Sequence, residues 1–417
     1  MIIKTVTGAG YGDEGKGLAT DFFCRQIHGK VLNIKVNGGA QAGHTVCCLD
    51  KNIYTDTFEY KHWIFKQYGA GTFADADTYL YNTFIVNIPE LLKERELISR
   101  IYGLNTKMYV DRNCRITLPV DIIFNRYLED KRTHRHGSCG LGIYETFHRN
   151  NDFKQIKIRD IINLFINTGL LEFQNYLNNL SKEYIEIRYN EIRSEGLVVT
   201  ESERIENEEL YKESNSIFIE KLAELAKYND IIFCNGVDEL IEKEQYTGIV
   251  CECSQGLELD QFETRNWPHL TPSSTGLLNI KKLIAESNSL KNSDIECCFI
   301  TRSYKTKHGA GPFIEEQQDI KDKFNLYDRT NETNRYQGSL KYGVIQLGRL
   351  KTLILKQLDL IGEHVKSSIM ITHLDQTNNM LLTNLGNIDI KDIDIRILGV
   401  NHTIYKSYGE KYTDIVK

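Results

Sequence analysis

Gly8-Ala-Gly-Tyr-Gly-Asp-Glu-Gly-Lys-Gly17 is the stretch whose reading decides the fold of this chain. Ahead of it, Ile2-Ile-Lys-Thr-Val-Thr7 is a short β-branched run of the kind buried in a parallel sheet; behind it, Lys16 to Ile27 carries the apolar spacing of a helix. Strand, glycine-rich turn and helix in that order make a phosphate loop. Gly10-x4-Gly15-Lys16 has the spacing in which backbone N–H groups converge on phosphate oxygens at a helix N-terminus and a lysine adds a point charge. Two departures stand out. Gly17 occupies the position where a magnesium-holding Ser or Thr is expected, and Asp13 and Glu14 put carboxylates into a loop that attracts anions. Acids there oppose phosphate unless one of them binds a metal or does chemistry on a substrate lying against the phosphates. The plain alternative is a glycine-rich βα turn with solvent-facing acids.

One βα unit further on, Val31 to Val36 reads as a second strand that ends in Asn37-Gly-Gly-Ala-Gln-Ala-Gly-His-Thr45. Thr78 to Val86 alternates like a strand, and Pro89 opens a helix through Leu97 and Ile101. A third glycine cluster, His136 to Ile143, precedes a long helix expected over Arg159 to Tyr184. Residues 183 to about 212 are dense in Glu, Lys, Arg and Asn, which predicts a solvated connection and helix ends. Ser216 to Tyr228 is again amphipathic. Ile231–Cys234, Gly248–Glu252, Glu296–Thr301, Ile369–Thr372 and Ile395–Leu398 are short apolar runs, mostly separated by helical segments. This alternation predicts an α/β fold: a single large domain over residues 1–417, with a mostly parallel sheet covered by helices on both faces and ligands along its carboxyl edge.

Composition narrows the function. With 51 basic and 57 acidic residues among 417, the net charge of −6 argues against a nucleic-acid or membrane-surface protein. No apolar run approaches the ~20 residues of a membrane span, and a cytoplasmic protein is expected. The ten cysteines include no Cys-x-x-Cys and mostly sit in apolar runs, so buried free thiols are expected, with neither disulfides nor zinc.

The strand ends collect the chemistry. Asp13 and Lys16 follow the first strand, His44 the second, Gln255 the run at 248–252, Lys305, Lys307 and Gly309-Ala-Gly-Pro-Phe313 the run at 296–301, and His373 and Asp375 the run at 369–372. An acid, a histidine, an amide and several cations on one sheet edge form a candidate active site.

Gly12-Asp-Glu-Gly-Lys-Gly17, then Gly38-Gly-x-x-Ala-Gly-His-Thr45, Ser254-Gln-Gly256 and Gly309-Ala-Gly-Pro-Phe313, in this order and over nearly the whole chain, resemble adenylosuccinate synthetase. The resemblance implies a homodimeric ligase that joins L-aspartate to C6 of IMP with GTP and Mg²⁺. It implies that Asp13 is the base at purine N1 and a metal ligand, with the Gly43 carbonyl as a second ligand. His44 would be the acid supporting phosphoryl transfer to O6. Lys16 and the amides of Gly12, Glu14, Gly15 and Gly17 would hold phosphate. Gln255 would steady the purine, and Gln41, Thr45, Ser138, Cys139, Thr271, Lys307, His373 and Asp375 would contact the nucleotides. The chemistry needs these types: a 6-oxo group leaves only after it becomes a phosphate ester, which requires N1 deprotonated and the phosphoryl charge compensated.

Departures from the family pattern open alternatives. Its Asn-Asn is Ala40-Gln41 here, and its Thr-Thr-Gly-Arg-Gly-Ile is Ser138-Cys-Gly-Leu-Gly-Ile143. The basic residue that the family takes from the neighbouring subunit would be Arg149 or Lys154. The aspartate loop, arginine-rich in the family, reads Arg329-Thr-Asn-Glu-Thr-Asn-Arg-Tyr-Gln-Gly338, which leaves Arg329, Thr330, Thr333 and Arg335 as contacts for the amino acid, Arg335 also for the nucleotide. Thr372-His-Leu-Asp375 and Ile397-Leu-Gly-Val400 replace guanine-selecting motifs, so ATP can stand in for GTP. The same chemistry on dIMP, GMP or dGMP is one alternative, although viral relatives that use a 2-amino purine tend to carry a small hydroxyl residue where this chain has Asp13. A catalytically inactive nucleotide-binding regulator is another, and it has no use for both a base and an acid.

Overall fold

In the computed structural model, residues 1–52, 57–103, 105–133, 137–331, 338–362 and 365–417 are described. Ten strands build the central sheet: β1 Ile2–Gly8, β2 Val31–Lys35, β3 Asp77–Leu80, β4 Met108–Asp111, β5 Ile231–Cys234, β6 Gly248–Gly256, β7 Asp294–Arg302, β8 Lys366–Thr372, β9 Thr403–Ser407 and β10 Ile415–Val416. Their order is β10-β9-β8-β7-β1-β6-β2-β3-β4-β5. Every neighbouring pair is parallel except the last edge, β9 with β10. β1 lies in the middle, with Ile3 beside Ile249 on one side and Ile295 on the other. A strand in that place has both faces covered, which is why it is an apolar run rather than an alternating one.

The two faces bury different residues. Ile3, Leu32, Ile34, Ile249 and Phe299 share one core, and Val6, Val250, Ile300 and Met370 pack on the other side against Leu18, Phe22 and Phe23 of the first helix, Lys16–Gln26. All ten cysteines are free thiols, nine of them buried and Cys139 partly so. No helix among the described residues is long and apolar enough to cross a membrane.

Four expected elements are corrected. The strand expected over Thr78–Val86 ends at Leu80. Beyond it the chain bends to follow the 37–45 loop, with Thr83 Oγ1 donating to the Val36 carbonyl at 2.6 Å and the Ile85 N–H to that of Gly38 at 2.9 Å. The long helix expected over Arg159–Tyr184 is two, Ile158–Asn167 and Leu170–Ser194, parted where Thr168 turns extended and caps Leu164 through its hydroxyl at 2.8 Å. Residues 183–212 are helix ends, as expected, but the solvated connection is only the turn at 195–200. They form the end of Leu170–Ser194 and the start of Glu201–Leu225, which pack on each other and bury Tyr184, Tyr189, Ile192 and Tyr211. Most charges ride on the outer faces while the apolar positions recur at helical spacing; Arg188 is the exception, buried 2.9 Å from Glu145. Finally, Ile395–Leu398 is a 3₁₀ turn begun by Asp394, whose carboxylate accepts from the Arg396 N–H at 2.9 Å; the strand falls on β9 instead.

Candidate active site

The carboxyl ends of β1, β2, β6, β7 and β8 open onto a cavity of about 370 Å³. Its lining includes residues 11–18 and 41–45, Gln255, Arg302, His308, residues 327–331, His373 and Asp375.

The loop after β1 turns through three left-handed residues, Gly12 (φ 105°), Asp13 (φ 60°) and Gly15 (φ 95°). Such a backbone gathers its N–H groups into a concave anion site. Here that site holds the loop's own glutamate. Glu14 Oε1 accepts from the N–H groups of Gly10 (3.0 Å) and Gly12 (2.8 Å), and Oε2 takes Lys16 Nζ at 2.6 Å. A methyl group on Gly8 would lie 2.4 Å from that carboxylate and 2.8 Å from Nζ, so the pair packs directly on bare backbone. Lys16 and the Gly12 amide, expected on phosphate, are therefore committed inward in this conformation. Gly17 also finds a reason: a Cβ there would sit 2.3 Å from the Thr45 carbonyl, so close packing of helix on strand excludes the Ser or Thr of an ordinary phosphate loop.

Asp13 is half-buried at the mouth of this loop. Desolvation pushes its carboxyl above the usual carboxylate range, against the pull of Arg302, His308 and Lys16. Arg302, at the end of β7, holds the loop from below. It donates Nε to the Asp13 carbonyl at 2.6 Å and pairs with Asp328, whose carboxyl is held well below its usual range by that contact. Asp328 Oδ1 also accepts from the N–H groups of Thr330 and Asn331, both at 3.0 Å. The start of the expected amino-acid loop is thus tied to Asp13 through a single arginine.

His44 begins the hairpin His44–Asn52/Thr57–Phe65 and lies opposite Phe65. Its Nδ1 meets Glu252 Oε1 in a very short contact, and the same carboxylate accepts from Lys35 Nζ at 3.1 Å and from the Ala70 N–H at 3.0 Å. The partners pull in opposite directions. Burial lowers the imidazole to about 4, with help from Lys35 and Lys16, while Glu252 favours the charged form. Burial is the larger influence, so the free protein holds His44 neutral, with Nδ1–H given to Glu252 and Nε2 left as an acceptor.

Gln255 follows at the end of β6 in a left-handed conformation (φ 66°). His373 is also left-handed (φ 61°), bonded to Thr372 Oγ1 at 2.8 Å, and kept well below its usual pKa by burial and Arg302. Asp375 is exposed, its carboxyl raised by desolvation and by Glu410 and Asp414.

Of the residues expected from the sequence, Gly12, Asp13, Glu14, Gly15, Lys16, Gly17, Gln41, Gly43, His44, Thr45, Gln255, Arg329, Thr330, His373 and Asp375 meet at this cavity. Thr333 and Arg335 lie outside the described residues. Ser138, Cys139, Thr271 and Lys307 are not among its walls. Ser138 instead donates to Asn125 Oδ1 at 3.1 Å, and Thr271 shares its hydroxyl with Ser273 at 3.4 Å. Lys307 fastens the Gly309–Phe313 turn through the carbonyls of Gly309 and Ala310, and burial brings its ammonium down to about 8. Lys305 is taken up by Glu258 at 2.9 Å. Arg149 cannot serve a neighbouring subunit: it is fully buried, with Nε 2.8 Å from Asp121 Oδ1 and a terminal nitrogen 2.9 Å from Oδ2. Lys154 stays exposed.

Four participants went unread in the sequence. Glu252 is a charge inside an apolar strand and Arg302 a charge closing one, which was their signal. Asp328 has no local signal. His308 lines the cavity with both ring nitrogens buried and no hydrogen-bond partner among the described residues, and the Gln41 Oε1 atom is in the same condition. Unpaired buried polar atoms on a cavity wall call for a ligand.

A base-like carboxylate, an oriented imidazole and an anion-gripping loop on the carboxyl edge of a parallel sheet define an α/β enzyme of the nucleotide-handling class. The adenylosuccinate synthetase family signature spans residues 5–381, and the chain belongs to that family. It is 24% identical to the adenylosuccinate synthetase of Borrelia recurrentis (strain A1) over 383 residues, covering 91% of this chain and 78% of that one. The Picrophilus torridus enzyme is 23% identical over 374 residues, covering 87% and 78%. Among solved structures, the fully ligated adenylosuccinate synthetase of Plasmodium falciparum superposes over 100% of both chains with a TM-score of 0.70 at 17% identity. Cyanophage S-2L succinoaminodeoxyadenylate synthetase, bound to dGMP and to dATP as energy donor, gives 0.60 at 14% identity, covering 100% of this chain and 95% of that one. Membership makes this chain a nucleoside-triphosphate-dependent C–N ligase that joins aspartate to a purine nucleotide.

Proposed function

We propose that this ligase makes adenylosuccinate from IMP and L-aspartate with GTP or ATP, and that Asp13 and His44 divide the proton chemistry. The reading rests on one observation: both residues lie on one cavity wall, one desolvated as a base needs and the other aimed by a buried carboxylate. A carboxylate with a raised pKa is the better acceptor for the N1 proton. Loss of that proton puts electron density on O6, which attacks the γ-phosphorus; the bond to the bridging oxygen breaks and the nucleoside diphosphate leaves. An arriving phosphate anion favours imidazolium, so His44 takes up a proton with the nucleotide and gives Nε2–H to the transferring group. The free-base aspartate amine then adds at C6, the C6–O6 bond breaks, and inorganic phosphate departs with the proton that the amine sheds. Gln255 and His308 supply polar contacts to the purine nucleotide.

Asp13 with the Gly43 carbonyl is a hard-oxygen donor set that suits Mg²⁺ beside phosphates. Bound there, the ion would offset the repulsion between Asp13 and the triphosphate. Ser138, Cys139, Thr271 and Lys307 reach the substrate phosphate only after their loops move toward the cavity. Arg329, Thr330, Thr333 and Arg335 receive the aspartate carboxylates, and a homodimer completes the site with Lys154. The same chemistry on a 2-amino purine is the second reading, supported by the dGMP-bound cyanophage neighbour.

A substrate matrix tests this: IMP, dIMP, GMP and dGMP against ATP and GTP, with aspartate, following phosphate release. IMP-dependent release that falls at least ~100-fold in kcat in Asp13→Asn and in His44→Gln, with nucleotide binding kept, is the expected result. Phosphate release with no need for purine or amino acid, or near-normal turnover in either variant, overturns it.

A further inference from the structure

Directly opposite each other on the hairpin, Cys47 and His62 point to the same face of the ribbon. Glu410, on the turn after β9, comes up to that face and accepts from His62 Nε2 at 2.7 Å. The thiol, ring nitrogen and carboxylate oxygen all lie within 4.8 Å of one another. Among the described residues no other trio of His, Cys, Asp and Glu brings its donors so close. We infer that Cys47, His62 and Glu410 form a site for a borderline-soft divalent cation, Zn²⁺ foremost, on the rim of the active-site cavity that all three help to line.

The donor set fits the ion. Thiolate and imidazole select zinc over magnesium. Tetrahedral zinc with one sulfur and two lighter donors needs them about 3.4–3.6 Å apart, given bonds of roughly 2.3 and 2.0–2.1 Å. Reaching that spacing lengthens the His62–Glu410 contact by under about 1 Å, within the freedom of an exposed carboxylate. Three protein donors leave the fourth position for water. Binding replaces the Cys47 S–H bond by the metal–sulfur bond and releases the thiol proton to solvent. Arg329 stands 3.6 Å from Glu410 and Lys411 lies over Tyr60, so the carboxylate enters a mixed field. Cys48, next in sequence, faces away toward Tyr102 Oη at 3.2 Å and takes no part. An occupied site would pin the hairpin that carries His44 to the turn after β9.

Cobalt(II) titration of the full chain, after chelator treatment, reads the site through the thiolate-to-cobalt charge-transfer band. The expected result is saturation at one equivalent, displacement by zinc but not by magnesium, and loss of the band in Cys47→Ser with retention in Cys139→Ser. His62→Ala and Glu410→Gln should each weaken binding at least about tenfold. These two side chains are partly exposed, so their variants decide the matter even if Cys47→Ser does not fold. No band in the wild-type chain, a band that survives Cys47→Ser, or wild-type affinity in either His62→Ala or Glu410→Gln overturns the site.

Discussion

Glu252→Gln is the sharpest perturbation of this architecture, because it removes a charge and keeps the shape. Glu252 Oε1 serves both His44 Nδ1 and Lys35 Nζ, and Oε2 serves the Ala70 N–H. An amide has a single acceptor oxygen. If that oxygen stays with His44 and Lys35, the NH₂ group faces the Ala70 N–H, donor against donor. If it turns to Ala70, the NH₂ group faces an ammonium and drives His44 to the other tautomer, with Nδ1 accepting. In both cases Lys35, with 0% of its side chain exposed, loses its counter-charge. Breaking a buried ion pair from one side costs about 3–5 kcal/mol. A misdirected imidazole should lower kcat by ~100-fold or more. Urea denaturation at pH 7.5 (about one unit above the free imidazole value) reads the first number, and phosphate release at saturating substrates reads the second. The cycle with His44→Gln separates them: if Glu252 acts through His44, the charge removal adds little to the kcat loss in that background while its stability cost persists. A Glu252→Gln protein within ~0.5 kcal/mol of wild type and within ~3-fold in kcat would refute the buried dyad.

Two further outcomes follow from the same geometry. His44 titrates near 4 in the folded chain against 6.5 when free, a lowered pKa, so its contribution is complete above pH 6.5 and is lost as pH falls toward 4. That is about 3 kcal/mol, visible as a falling urea midpoint across this window that flattens in His44→Gln. Arg149→Met should cost about 3–5 kcal/mol by stranding Asp121, with the turnover of the folded fraction kept. Normal stability with lost turnover would return this arginine to an active site.

Much of the architecture was legible because it rests on local patterns. β1, β2, β6, β7 and β8 are apolar runs bounded by turn residues, and Ile88–Tyr102 announces itself by Pro89. What misled were segments whose fate depends on distant partners. The 183–212 stretch looks solvated by composition, yet its apolar residues find a second helix across a turn. Thr78–Val86 alternates like one strand, yet breaks because Val36 and Gly38 offer carbonyls to bond.

The sequence by itself determined that an acid, an imidazole, an amide and a glycine loop would meet on one sheet edge, since each follows a strand and parallel strands point the same way. Only the tertiary structure decided what those groups are bonded to. It turned Lys16 onto Glu14, set Glu252 behind His44, tied Asp13 to Asp328 through Arg302, spent Lys307 on a turn and buried Arg149 against Asp121. Chain order carries the first kind of information because strand direction is local. It cannot carry the second, because a buried charge takes whichever partner packing brings within about 3 Å, and that partner can stand hundreds of residues away.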